Sequence, residues 1–105
     1  MNSFLVFRER DNDIRLLLTE KGQPVPDLTP IMRITLEVGG VLLDSNQHAG
    51  VFNWQSDPTM LVLKLGAANI PEGEYMASLV VYALDHPNGL VWTEHLPITV
   101  RKNPQ

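Results

Sequence analysis

The chain has 105 residues, 44% of them hydrophobic and 19% charged, with a formal net charge of −4 and no cysteine. That balance fits a single domain (1–105) that buries a core without metal or disulfide staples, and it excludes thiolate metal sites. The eight Lys and Arg residues are scattered and form no basic stripe interleaved with aromatics, so no nucleic-acid partner is expected. No apolar run reaches membrane-spanning length, and no basic region precedes the short apolar run after Met1, so neither a membrane span nor an exporting signal is expected.

Turn signals recur every 8 to 12 residues or so with short apolar runs between them, the rhythm of an all-β chain. The first run, 4–8, breaks at Arg10-Asp11-Asn12-Asp13, where Asn and Asp bond their own backbone. The second, 14–19, ends at Glu20-Lys21-Gly22. Pro24, Pro26 and Pro30 then rule out a helix or a central strand, and 23–30 reads as a linker crossing between sheets. The clearest strand follows: Met32, Ile34, Leu36 and Val38 alternate with Arg33, Thr35 and Glu37. Gly39-Gly40 supplies a two-residue turn that sets Val38 opposite Val41 and Leu36 opposite Leu43.

Further runs cover 51–54, 60–65, 75–84 and 91–100. The run 75–84 is apolar on both parities, as in a strand covered on both faces or bearing a partner. Asp85-His86-Pro87-Asn88-Gly89 reads as a hairpin loop, Pro97 demands an edge or a bulge, and 101–105 reads as a polar frayed tail. No stretch carries a convincing helical stripe. About seven or eight strands in this length predict an immunoglobulin-like antiparallel β-sandwich of Greek-key type.

Ile70-Pro71-Glu72-Gly73-Glu74-Tyr75 resembles a tyrosine corner, a structural role for Gly73 and Tyr75 in which the phenol bonds back to the chain. His48, His86 and His95 are too dispersed for metal ligation. Asp11-Asn12-Asp13 lacks the glycine and closing Glu of a calcium loop, and Ser45, near Asp44 and His48, lacks an elbow sequence. No cofactor and no enzymatic activity are therefore expected. Leu42 shares a face with Glu37, away from the predicted core. With Met76, Val80, Tyr82 and Trp92 it forms a candidate interface. An alternative makes Trp54 or Trp92 a stacking platform for a carbohydrate or other ligand, although core or subunit contact is the favoured reading for both.

The order of signals also carries a resemblance. A turn glycine leads into Pro-Val-x-Asp-Leu-Thr over residues 22–29, then come an alternating strand, Ile-Pro-x-Gly-x-Tyr, a long apolar strand and a terminal Pro-Ile-Thr-Val. The sequence resembles the N-terminal sandwich domain of phage upper baseplate proteins and related small tail and head modules. That resemblance implies a non-enzymatic structural or accessory component of a phage or prophage particle. Its partners would be itself, as a homo-oligomer, and other particle proteins, in the virion or in the host cytoplasm during assembly.

Overall fold

The computed structural model describes residues 3–10, 12–20, 22–25, 27–66 and 68–102. Asp11 of the Asp11-Asn12-Asp13 turn, Lys21, Pro26 and residues 103–105 of the predicted tail lie outside the described residues. The alternating runs form ten strands: β1 (Phe4–Phe7), β2 (Asp13–Leu16), β3 (Thr19–Glu20), β4 (Gln23–Pro24), β5 (Arg33–Val38), β6 (Val41–Asp44), β7 (Phe52–Asn53), β8 (Leu61–Lys64), β9 (Gly73–Ala83) and β10 (His86–Arg101). No helix occurs among the described residues.

Eight of these strands form two sheets, ordered β1-β10-β9-β5-β6 and β2-β8-β7, while β3 and β4 make a separate two-stranded ribbon. Lettered in chain order without that ribbon, the strands fall as A-G-F-C-C′ opposite B-E-D, the Greek-key arrangement of immunoglobulin-type sandwiches. Within this arrangement β1 runs parallel to β10, with Phe4 opposite Ile98 and Phe7 opposite Arg101; every other ladder is antiparallel. The proline-rich 23–30 segment does carry the chain from one sheet to the other. Its Leu28 is fully buried and donates its N–H to the Pro58 carbonyl at 2.7 Å.

The core is one continuous layer between the sheets. Ile34, Leu36, Leu79 and Ile98 of the larger sheet meet Ile14, Leu61 and Leu63 of the smaller, all at 3% exposure or less. Period-two alternation puts these residues inward, and their burial supplies the main stabilising force. The β5–β6 hairpin has the expected register, with Val38 opposite Val41, Leu36 opposite Leu43 and Glu37 opposite Leu42. Gly39 (φ 59°) and Gly40 (φ 78°) both occupy left-handed backbone, as a type I′ turn requires.

The second hairpin differs from the sequence reading. Ala83 pairs with His86, so the turn is Leu84-Asp85 alone, and His86 to Gly89 belong to β10 instead of a loop. The register jumps between His86 and Leu90 because extra residues bulge out of the ladder there, absorbing the turn-like Pro87-Asn88-Gly89. Pro97 sits one residue before the β1 ladder begins, so its missing N–H removes no bond on that side; further irregularities lie between Val91 and Thr93 and between Thr93 and Leu96. Arg101, read from sequence as tail, is the last residue of β10 and pairs with Phe7.

Candidate functional site

The larger sheet has an inner face in the core and an outer face open to solvent. On β9 the inward residues are Ala77, Leu79 and Val81, all buried, with Tyr75 packed partly against them. The alternate residues, Met76, Ser78, Val80 and Tyr82, therefore point outward. Directly paired residues share a face, so ladder register assembles the outer surface row by row. Pro97 lies beside Met76, and Ser78 beside Glu37, which in turn lies beside Leu42. In the next row Val91, Val80, Thr35 and Asp44 follow one another across four strands. Leu42 is 60% exposed, Val91 54% and Met76 53%, far above what core residues show.

A polar corner closes this surface. The Arg33 guanidinium forks onto Asp44, with Nε donating to Oδ1 at 3.0 Å and to Oδ2 at 3.1 Å, and Nη2 also donating to Oδ2. The same guanidinium lies 4.7 Å from the centre of the Tyr82 ring, a cation–π contact between cross-strand neighbours. The Asn46 N–H donates to Asp44 Oδ1 at 3.0 Å. The Arg33 hydrogen bonds, helped by Asn46, hold the Asp44 carboxyl below the usual carboxylate range against the opposing effect of burial. Thr35 and Asp44 are both buried although they face outward, because their neighbours close over them.

The residues expected to form an interface separate into two groups. Leu42, Met76, Val80 and Tyr82 do share the outer face. Trp92 does not: it is half-buried and packs against the core cluster. Trp54 is 5% exposed, and its indole Nε1 donates to the Ile31 carbonyl at 3.2 Å. A flat sugar ring has no access to that buried face, so the stacking alternative does not apply to Trp54, which is a core residue as the favoured reading expects. Tyr75 forms the corner read from the sequence, its hydroxyl donating to the Pro71 carbonyl at 2.7 Å and contacting the Glu72 carbonyl at 3.1 Å. A Cβ on Gly39 or on Gly73 would come within 2.9 Å of the Tyr75 ring or hydroxyl, so both glycines make room for it.

The Asp44-Ser45-His48 grouping is spent on its own turn. The Ser45 hydroxyl accepts from Ile34 N–H at 3.0 Å, and His48 Nδ1 accepts from Asp44 N–H at 3.3 Å. His86 and His95 are exposed on β10, far from His48 in sequence and on different elements. Among the described residues no three His, Asp or Glu side chains gather as a metal site would need.

Sequence reasoning missed a cleft of about 800 Å³ at the sandwich margin, where Val41, Leu43 and Val51 meet His48 and Lys64 beside the β1–β2 turn. Glu9 (φ 65°) and Asn69 (φ 56°), the two non-glycine residues with left-handed backbone among those described, both line it. The turn is locked to the cleft wall: Glu9 N–H donates to the Gly66 carbonyl at 2.8 Å, and a Cβ on Gly66 would meet the Arg10 carbonyl at 1.8 Å. No local signal marks this cleft, because its walls come from segments well separated along the chain. Compared with protein-family models, with curated proteins and with solved structures, the chain matches none.

Proposed function

We propose that this domain is a non-enzymatic structural module of a phage or prophage particle, working by protein–protein assembly with further copies of itself and with other particle proteins. The observation that carries the assembly part is the outer face of the larger sheet, where Val80 and Val91 pair directly and Leu42 and Met76 stand exposed on the same face across Glu37, Thr35 and Ser78, beside Arg33 and Tyr82. Grouped exposed apolar residues mark contact sites, whereas single ones mean little. Arg and Tyr are the residue types that dominate binding energy at such surfaces, and the Asp44 fork holds this Arg in one geometry before any partner arrives. The particle setting rests on the resemblance of residues 22–29, of the Tyr75 corner and of the terminal strand to phage tail and head modules.

Light scattering behind size exclusion, over a tenfold concentration range, tests the assembly. Wild-type mass above monomer, lost in Leu42→Asp or Val80→Asp, supports it. A monomer at every concentration, or an oligomer indifferent to both substitutions, contradicts it. The particle setting is tested by protein mass spectrometry of particles purified from the induced host: the chain is expected at integral copy number, and its absence contradicts the setting.

A further inference from the structure

The β9–β10 hairpin breaks a local rule at its tip. Two-residue turns favour Gly, Asn, Asp or Ser, yet Leu84 occupies the first position of this one and is 87% exposed. So exposed a leucine adds little to its own fold and is the large apolar group that the tip offers to a neighbour. Asp85 follows it, its side chain 83% exposed and 3.8 Å from His86 Nε2. The tip thus presents an apolar knob with a carboxylate beside it.

The margin cleft offers apolar wall beside charged groups of both signs, Glu9 and Asp13 as well as Arg10 and Lys64. Val41, Leu43 and Val51 supply apolar wall, and His48 and Lys64 stand on it. Asp13, the cross-strand neighbour of Lys64, turns to Arg15 at 3.8 Å. Glu9 also lines the cleft, yet among the described residues the Lys64 ammonium makes no ion pair. Tip and cleft are separate surfaces of the molecule. Val41 follows the Gly39–Gly40 turn, which sits against Tyr75 near the start of β9, whereas Leu84 follows the end of β9. The 11 residues of β9 span about 36 Å at a strand's rise, within a longest dimension of 43 Å.

We propose that the hairpin tip of one copy docks into the margin cleft of a second copy, Leu84 against Val41, Leu43 and Val51 and the Asp85 carboxylate against the Lys64 ammonium. The inference rests on the assembly reading above and names a second junction, distinct from the outer face. A knob and a cleft on separate surfaces make a head-to-tail contact, which leaves a free tip and a free cleft after each addition; such contacts grow into rings or filaments.

A charge exchange tests it by light scattering. Wild-type mass is expected to rise past dimer with concentration. Asp85→Lys alone and Lys64→Glu alone each oppose like charges at the junction and lose that growth. Their equimolar mixture restores it, because the tip of either variant then carries the charge opposite to that of the other variant's cleft. The near-UV signal of buried Trp54 confirms that each variant is folded. Single variants that grow like wild type, or a mixture that stays as small as its components, would overturn the proposal. Leu42→Asp separates the two readings: growth lost there but kept in Asp85→Lys removes the head-to-tail junction and leaves the outer face standing, and the reverse pattern does the opposite. A wild-type monomer throughout removes both.

Discussion

The two sheets of this sandwich share one core and differ on their outer faces. On the smaller sheet Asp13 and Arg15 are exposed on β2, while Lys64 is exposed opposite Asp13. Inward Ile14, Leu61 and Leu63 are buried, and the outward Val62 sits between polar Arg15 and Asn53, so this sheet has a mostly polar outer face over an apolar inner one. On the larger sheet the inward residues obey the same rule, but the outward rows contain Leu42, Met76, Val80 and Val91. Folding requires only the inward set. The outward apolar residues therefore add little to the fold, and their grouping on one sheet is what favours that sheet as the contact surface.

The sharpest way to separate the two roles is to truncate one leucine on each side of that boundary. Leu63→Ala, in the inner layer of the smaller sheet at 0% exposure, is expected to cost about 2–5 kcal/mol in urea unfolding through lost burial and a cavity. Leu42→Ala, on the outer face, is expected to stay within roughly 0.5 kcal/mol of wild type while weakening association. Equal losses from both would erase the distinction between fold and surface.

The next effect concerns the device that ends the larger sheet. Gly39→Ala places a Cβ 2.9 Å from the Tyr75 ring on left-handed backbone, and about 1–3 kcal/mol of destabilisation is expected by thermal or urea denaturation. Tyr75→Phe, which removes only the hydroxyl and its bond to the Pro71 carbonyl, is expected to cost about 1 kcal/mol. A larger loss from Tyr75→Phe than from Gly39→Ala would shift the weight from the turn to the corner.

The smallest expected effect is a pH dependence at the polar corner. The Arg33 bonds lower the Asp44 carboxyl in the folded state, so their stabilisation is present above the unfolded carboxylate value near 4. It is lost as pH falls through the depressed folded value. Asp44→Asn should therefore melt below wild type at pH 7, with the gap narrowing as the pH drops below about 4. A gap that widens with acid would contradict the fork as its cause.

Local pattern carries much of this architecture. The 33–38 alternation, the Gly39–Gly40 turn and the outward placement of Leu42 follow from period-two geometry, and Tyr75 follows from its Pro-Gly turn. What local pattern does not carry is long-range register. The parallel β1–β10 ladder joins residues at opposite ends of the chain, and the Arg33–Tyr82 contact depends on how β9 slides against β5. Along β10 Trp92 shares the parity of the buried Leu96, Ile98 and Val100, so period-two counting sets it apart from Val80 and toward the core, where it packs. The Leu84-Asp85 turn is masked in the sequence by the stronger turn chemistry of Pro87-Asn88-Gly89, which the structure uses for a bulge. The margin cleft has no sequence signal at all, since each of its walls is ordinary alone.

The most direct test of the comparison is methyl NMR across a concentration series, with Met, Leu and Val methyls labelled. Methyls of Leu42, Met76, Val80 and Val91 are expected to shift and broaden together as concentration rises, while Val62, in strand β8 of the smaller sheet, stays fixed. Uniform behaviour of the two sheets, or changes confined to Val62 and its neighbours, would contradict the assignment of the larger sheet as the contact surface.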